Sequence, residues 1–235
     1  MSEPLRIALA GATGLIGQKV IDLAIGREDF RLTGLTRREV PIPDGVRMEM
    51  FVADPEHWGE VFEATRPTAL ICALGTTWRQ AGEDEEAFRA VDHDLVLETA
   101  RAAKAHGIER MVAISSAGAS MSAKTFYLRV KAEMERDLLK VGIKRVDILR
   151  PGLLRGERGG DRRTGERLGI AVSPVTDLLL HGGMRRYRSI SAQMVAEAAL
   201  GLAMRKAAGK FFHDNDGIRR AAREFPKPTA QLAEA

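Results

Sequence analysis

Short apolar segments that favour β-strands alternate with longer segments of helical period, and this alternation limits the possible folds more than any other feature of the chain. The apolar runs are "RIALA", "RLTGL", "RMEMFV", "ALICAL", "RMVAIS" and "RVDILR". Between two of them, the segment 85–106 places Phe88, Val91, Leu95 and Ala102 on one stripe of a helix. Repeated strand and helix units require parallel strands joined by right-handed crossovers. The sequence therefore predicts an α/β fold with a doubly wound parallel sheet.

The C-terminal part of the chain departs from this alternation. After Pro151 come a stretch rich in glycine and arginine, a helical stretch near 172–181, a short strand at "RYRSI" and a helix with Ser191 as its N-cap. A length of 235 residues suits one domain with an appendage. We expect residues 1–154 to form the nucleotide-binding core. Residues 155–235 are expected to form a small substrate-side cap that completes the same domain and ends in a loose tail, "EFPKPTAQLAEA".

The overall charge does not indicate a nucleic-acid partner. The 36 basic residues are spread among 32 acidic ones and lack interleaved aromatic residues, although the net charge is +4. No run approaches the roughly 18 apolar residues that a membrane span requires, and no signal-peptide cleavage pattern follows the first apolar run. We therefore expect no nucleic-acid partner, no membrane insertion, no bound metal and a cytoplasmic location.

The only cysteine, Cys72, lies inside the apolar run "ALICALG". A thiol in such a run is more often a small buried hydrophobic group than a reactive nucleophile. We expect Cys72 to belong to the core.

The first strand leads directly into the glycine-rich loop "GATGLIG", which is followed by an apolar helix. Dinucleotide sites need glycine at the tight turn, where the backbone meets the pyrophosphate and where the helix packs on the strand. A tight structural turn is the alternative, but strand, loop and helix occur here in the required order. The residues expected to contact a cofactor here are Gly11, Thr13, Gly14, Leu15, Ile16 and Gly17.

The second strand ends in "GLTRRE", where a protein that prefers NAD usually offers an acid to the ribose. Thr36, Arg37 and Arg38 come before the first acid, and guanidinium groups suit a 2′-phosphate. We therefore expect NADP(H), and less so NAD(H), as the cofactor. The alternative is that both arginines lie on a solvated loop.

Two further strand ends are candidate cofactor contacts. Asp54 ends the third strand, where such folds often contact adenine. Leu74 and Gly75 follow the fourth strand, where a small residue lets the backbone approach a cofactor. The alternative for Gly75 is a simple turn.

The stretch "TFYLRVKAEME" places Tyr127 four residues before Lys131 on one face of a helix. The spacing brings an ammonium within reach of a phenol. Alone it is also compatible with an ordinary aromatic residue beside a surface charge.

Together, the motifs "GATGLIG", "CALGTT", "AISSAG", "YLRVK" and "LRPGLL" resemble the short-chain dehydrogenase/reductase superfamily, whose core is a Rossmann fold. The likeness runs from about Leu5 to Arg155 and is greatest to the atypical branch related to the Tat-interacting-protein oxidoreductases. By this resemblance the catalytic residues are Ser116, with Ser115 as the alternative, Tyr127 and Lys131. The resemblance also implies that Lys131 holds the nicotinamide ribose and that Pro151 and Gly152 pack their backbone against the nicotinamide.

The resemblance implies a proton transfer between a tyrosine and a carbinol oxygen, while the cofactor carries the hydride. A free tyrosine has a pKa of about 10, and a nearby ammonium favours the phenolate. One position departs from the family pattern, because Asp92 stands where much of the superfamily has a relay asparagine.

We therefore predict an NADPH-dependent reductase of a carbonyl compound or a related small molecule. The alternative is an NADPH-sensing regulator with little turnover, and a protein partner or a homodimer stays open. A sugar-nucleotide epimerase is less favoured, because only about 85 residues follow Arg150. The substrate would be selected by the loop 155–167, which we expect to become ordered with ligand, and by the segment 184–189.

Overall fold

The structure is a computed structural model that describes residues 3–155 and 182–226. The predicted helical stretch at 172–181, nearly all of the selectivity loop 155–167 and most of the C-terminal tail lie outside the described residues.

A parallel sheet of seven strands forms the centre of the described chain. Its strands are β1 (Leu5–Ala10), β2 (Phe30–Thr36), β3 (Met48–Val52), β4 (Ala69–Cys72), β5 (Arg110–Ile114), β6 (Arg145–Leu149) and β9 (Gly209–His213). They lie in the order β3-β2-β1-β4-β5-β6-β9. Two short strands, β7 (Leu154–Arg155) and β8 (Ile190–Ser191), form a separate parallel pair. All six predicted strands are present, and the prediction of a doubly wound parallel sheet is confirmed.

Helices cover both faces of this sheet. They are α1 (Leu15–Asp22), α2 (Trp58–Thr65), α3 (Glu85–Arg89), α4 (Leu95–Ala105), α5 (Phe126–Leu138), α6 (Ala192–Ala203) and α7 (Asn215–Arg223). One apolar core lies between the sheet and α1, α6 and α7, and a second lies between the sheet and α2, α4 and α5. Alternate residues of β1 point to opposite cores, since Ile7 and Leu9 lie in the first and Ala8 and Ala10 in the second.

The strand register brings four carboxyl ends to one edge of the sheet. Ala10 pairs with Leu35 of β2 and with Cys72 of β4, and Cys72 pairs in turn with Ala113 of β5. Ligands of open α/β sheets bind at this edge, where the strand order reverses on either side of β1. The predicted glycine loop, the arginine pair and the serines follow these strands.

The long helix predicted over 85–106 is interrupted by a π-helical turn at Ala90–Asp94. A π turn contains an extra residue and rotates the following residues around the helix axis. Beyond this turn Leu95 and Ala102 of the predicted stripe are partly buried against the core, and the fully buried side of α4 is formed by Val96, Ala100 and Ala103.

The C-terminal part differs from its prediction in two places. The stretch "RYRSI" forms the end of a 3₁₀ helix at Gly182–Tyr187 and only a two-residue strand, because the chain turns before it reaches β8. The last strand of the main sheet, β9, was not predicted.

Two smaller predictions are confirmed. Ser191 caps α6, because its Oγ accepts the amide of Met194 at 3.2 Å. Cys72 is 1% exposed, and burial raises the pKa of its thiol to about 11, which makes it an inert core residue at neutral pH.

Candidate active site

The glycine loop connects β1 to α1 at the edge where the strands end. Gly11 has a φ of +86°, and a Cβ on it would lie 2.5 Å from the carbonyl of Ala73. A Cβ on Gly17 would collide with the Gly11 carbonyl oxygen. The N-cap of α1 is Gly14, and no side chain from residues 3–155 or 182–226 caps this helix end. The loop therefore needs its glycines for close packing, and its free helix amides are suited to a phosphate.

A cleft of about 630 Å³ lies between this loop, the loop after β4 and the first turns of α5. Of the predicted residues, it is lined by Thr13, Gly14, Leu15, Ile16, Arg38, Leu74, Gly75, Tyr127 and Lys131. A second pocket adjoins the first along the glycine loop and is lined by Gly11, Thr36, Arg37 and Trp58. The sequence-predicted phosphate loop and the Tyr and Lys pair thus share one continuous cleft.

The two arginines after β2 are exposed at the rim of these pockets. The Thr36 hydroxyl donates to the carbonyl oxygen of Arg38 at 2.8 Å and fixes the turn that carries them. Among the described residues, neither Arg37 nor Arg38 forms an ion pair, and neither pairs with the neighbouring Glu39. Both guanidinium groups are therefore available to an anion.

Tyr127 and Lys131 occupy the first two turns of α5 and differ sharply in exposure. The Tyr127 ring is 38% exposed and packs edge-on against Phe88 at 5.6 Å between ring centroids. Lys131 is 4% exposed, and its Nζ lies 2.8 Å from Oδ1 of Asp92 and donates to the Ile114 carbonyl at 3.3 Å. Lys131 is consequently not an ordinary surface charge.

Asp92 is the buried partner that the π turn brings into the cleft. It is 1% exposed, and its other carboxylate oxygen accepts the Thr76 amide at 2.7 Å. Burial alone would lower the pKa of Lys131, but the charge of Asp92, the proximity of Tyr127 and the hydrogen bond to Asp92 outweigh it. The pKa of Lys131 is therefore raised above its ordinary value, and the ammonium stays charged at neutral pH.

The two candidate serines differ in what their hydroxyl groups contact. Ser115 lines the cleft, but its Oγ donates to Oε1 of the buried Glu135 at 2.5 Å. Ser116 is half-buried, and within the described parts of the chain its Oγ makes only a long contact of 3.4 Å with the Ala117 carbonyl. The Ser115 proton is thus committed within the protein, whereas the Ser116 hydroxyl is not, although Ser116 is not among the residues that line the cleft.

Five of the predicted residues do not line either pocket in the described part of the chain, namely Gly17, Asp54, Ser116, Pro151 and Gly152. Asp54 is exposed just beyond β3, while Trp58 occupies the adjoining pocket and donates its indole N–H to the Ala53 carbonyl at 3.1 Å. The Pro151 carbonyl accepts the Ala117 amide at 2.8 Å, and the Gly152 amide donates to the Asn215 side chain at 2.9 Å. The roles of Asp54, Pro151 and Gly152 toward a cofactor therefore stay predictions.

The cleft is also lined by residues that were not predicted from the sequence. Trp78 is 41% exposed at its mouth and packs against Phe126 at 6.2 Å between ring centroids. The loop after β4 also contributes Thr76, and β7 contributes Leu154. In the sequence, the one signal that could have indicated Trp78 as a cleft residue is its position a few residues after the end of β4.

Comparison with known proteins places the chain in a family. Residues 11–204 match a family model described as NAD(P)H-binding. The chain belongs to this NAD(P)H-binding family. The family shown is thus one of NAD(P)H-binding Rossmann proteins, and the match does not distinguish NADP(H) from NAD(H).

The similar curated proteins include several named FMP52. The chain is 37% identical over 158 residues to Protein FMP52, mitochondrial, of Saccharomyces cerevisiae, covering 66% of this chain and 68% of that protein. It is 33% identical over 206 residues to the Aspergillus fumigatus protein fmp52, mitochondrial, covering 83% and 85% of the two chains. These relatives support an atypical dehydrogenase-like branch, and the assignment to the Tat-interacting branch stays a prediction from the motifs.

Similar solved structures show the same fold. UDP-glucose 4-epimerase from Thermotoga maritima with UDP-glucose has a TM-score of 0.66 and 16% identity, covering 95% of this chain and 84% of that one. The Thermus thermophilus UDP-glucose 4-epimerase complex with NAD has a TM-score of 0.65 and 20% identity, covering 94% and 83%. At these identities the likeness concerns the Rossmann-like fold alone.

The predicted cytoplasmic location is wrong by this comparison, because the FMP52 relatives are named as mitochondrial proteins. The prediction relied on the lack of a secretory signal and of a long apolar run, and neither property separates the cytoplasm from a mitochondrial compartment. Within residues 3–155 and 182–226, no helix has the length and apolar character needed to cross a membrane.

Proposed function

We propose that this protein is an NADPH-dependent oxidoreductase that reduces a carbonyl or related group of a small molecule. The observation that carries the proposal is the position of Tyr127 and Lys131 in the same cleft as the glycine loop. An NADP(H) molecule with its pyrophosphate at the N-terminus of α1 would extend toward these two side chains.

In the proposed reaction the cofactor supplies the hydride, and the chain's own groups position the substrate and move a proton. The exposed Tyr127 hydroxyl would give its proton to the carbonyl oxygen as that oxygen becomes negative. The charged Lys131 would favour the resulting phenolate and bind the ribose of the cofactor. Ser116 would donate a hydrogen bond to the same substrate oxygen, since its hydroxyl is not committed to a buried acid.

A second candidate function rests on Asp92. Its carboxylate lies 2.8 Å from the Lys131 ammonium and offsets the charge that would otherwise act on the phenol. A protein with this pair would bind NADPH and yet turn over slowly, as an NADPH-sensing regulator of a protein partner would.

The absorbance of NADPH at saturating cofactor, followed against a panel of aldehydes, ketones and quinones, tests the two functions. The enzyme hypothesis expects at least one compound to be reduced at a rate that depends on its concentration. Tight NADPH binding with no reduction of any compound would favour the regulator instead.

We expect a ten- to hundredfold preference for NADPH over NADH, which the double variant Arg37→Ala, Arg38→Ala should lose. Charge-assisted hydrogen bonds from an unpaired guanidinium to the 2′-phosphate are worth about 1.5–3 kcal/mol, and about 1.4 kcal/mol corresponds to a factor of ten. Calorimetric titration of both reduced cofactors measures the ratio. Because both arginines are exposed, added salt should reduce the preference.

The matched control is Arg31→Ala, at the opposite end of β2, where the guanidinium lies 3.9 Å from Glu49. This variant should keep the wild-type ratio of affinities. Equal affinities for the two cofactors in the wild type, or an unchanged ratio in the double variant, would assign the arginines to an ordinary solvated loop.

A further inference from the structure

A further cavity, of about 420 Å³ and distinct from the two pockets along the glycine loop, lies beside the cofactor cleft, beyond the carboxyl ends of β5, β6 and β9. Its walls are the loop after β5, the residues that follow β6 and β9, the 3₁₀ helix and the start of α7. It is lined by Ala117, Gly118, Ala119, Arg150, Arg186, Phe212, His213, Asp214, Gly217 and Arg220. None of these residues lines the cofactor cleft, so the two cavities are separate.

Arg150 is held in place at this cavity by groups on its other side. Its Nε donates to Oε1 of Glu135 at 2.8 Å, and its Nη2 donates to Oε2 of the same carboxylate. Its guanidinium carbon also lies 4.5 Å from the centre of the Phe212 ring. Within the described residues, Nη1 has no hydrogen-bond partner, so a fixed guanidinium presents one unused edge.

The other two arginines of the cavity are held by no direct ion pair in the described part of the chain. The guanidinium carbon of Arg186 lies 5.1 Å from the centre of the Tyr187 ring, and neither Arg186 nor Arg220 forms an ion pair among the described residues. Of the described residues that line the cavity, Asp214 is the one with a carboxylate, and it caps α7 by accepting the Gly217 amide at 2.9 Å. His213 contacts the buried Asp147 at 2.8 Å.

The balance of these charges is positive. Glu135 offsets Arg150, and Asp214 offsets one further cation, which leaves one guanidinium in excess at a concave surface. Convergent arginines with uncommitted N–H groups match the geometry of a carboxylate or a phosphate. We propose that this cavity is a second ligand site, which binds a compact carboxylate or phosphate group through Arg150, Arg186 and Arg220.

The test follows backbone amide resonances of the full chain during titration with inorganic phosphate. The amides of Gly118 and Gly217 report on this cavity, whereas those of Gly14 and Gly75 report on the cofactor cleft, so phosphate bound in the cleft is recognised separately. We expect saturable shifts at Gly118 and Gly217. The double variant Arg186→Gln, Arg220→Gln should weaken this affinity at least tenfold.

The matched control is Arg223→Gln, an exposed arginine one turn further along α7 that does not line the cavity. It should leave the phosphate affinity unchanged. Before phosphate is added, Gly14 and Gly75 resonances at their wild-type positions verify that each variant is folded. A parallel titration with acetate identifies the preferred group, because the anion with the lower Kd shows whether the cavity prefers a carboxylate or a phosphate. The absence of saturable shifts with both anions, or equal affinity in the double variant, would overturn the proposal.

Discussion

Replacing Tyr127 with phenylalanine is expected to lower carbonyl reduction by about a hundredfold to ten-thousandfold, the range that a positioned general acid contributes. The loss follows from the missing proton donor, because the ring keeps its contact with Phe88 at 5.6 Å. Among the described residues the Tyr127 hydroxyl makes no hydrogen bond to the protein, so its removal should leave stability almost unchanged. Steady-state rates with a verified substrate, together with NADPH affinity from calorimetry, measure the two effects.

The chain has two tyrosines, and the other one provides the control. Tyr187 ends the 3₁₀ helix, where its ring lies beside Gly118, and it does not line the cofactor cleft. Tyr187→Phe should therefore retain NADPH affinity and kcat, since the segment 184–189 to which it belongs is expected to act on substrate KM, while Tyr127→Phe loses kcat and retains NADPH affinity to within a few-fold. Equal turnover in Tyr127→Phe and the wild type would remove Tyr127 from the mechanism.

Much of the fold was predictable from the sequence because its signals are local. Six strands of the main sheet appear as short apolar runs, and the glycine loop requires small residues at Gly11 and Gly17 for contacts that any side chain would block. Ser191 likewise indicates a helix start through one hydroxyl and one amide. Each of these features depends on neighbours a few residues away, which a sequence pattern records directly.

The missed features depend on contacts between distant segments. The strand β9, "GKFFH", carries exposed Phe211 and Phe212 at the sheet edge, and its aromatic faces are covered by Arg145 and Arg150 from β6 and the residue after it. Its apolar residues do not form a buried run, so periodicity gave no strand signal. The π turn is also invisible in the spacing of apolar residues, since one extra residue shifts the pattern without breaking it.

The candidate site was predicted at the level of its residues, but the connections among them required the structure. The sequence marks Tyr127, Lys131 and the paired serines, and it flags Asp92 only as a departure from a family pattern. Which serine hydroxyl is free depends on Glu135, twenty residues away from Ser115 on α5. The pairing of Lys131 with Asp92 depends on the π turn, which moves this acid to a buried position facing α5.

The second large effect is expected at this buried pair. Lys131→Met keeps the length of the side chain but removes the ammonium, and it leaves the 1% exposed Asp92 carboxylate without its charged partner. Breaking a buried ion pair from one side costs about 3–5 kcal/mol, because the remaining charge stays desolvated. We expect a loss of stability of this order in urea denaturation, together with loss of most turnover and weaker NADPH binding.

The loss of stability in Lys131→Met should be nearly constant between about pH 7 and 9. The pKa of Lys131 in the folded protein is raised above its ordinary value of 10.5. The stabilisation is therefore fully present below pH 10.5, and it is lost only as the pH rises through the folded-state pKa. Stability curves of the wild type and the variant should therefore run parallel across this window. A difference that disappears by pH 9 would show that the lysine is not held charged by Asp92.

The double variant Lys131→Met, Asp92→Asn separates the structural role of the pair from its catalytic role. Without either charge, the asparagine carbonyl still accepts the Thr76 amide that Asp92 now accepts at 2.7 Å, and no buried ion is left unpaired. Most of the lost stability should return, since replacing both partners of a buried pair costs far less than removing one. Turnover should not return, because the ammonium that acts on Tyr127 and on the cofactor ribose is still absent. Recovery of both stability and turnover in the double variant would reduce Lys131 to a structural counter-ion of Asp92, whereas recovery of stability alone assigns it to the chemistry of the cleft.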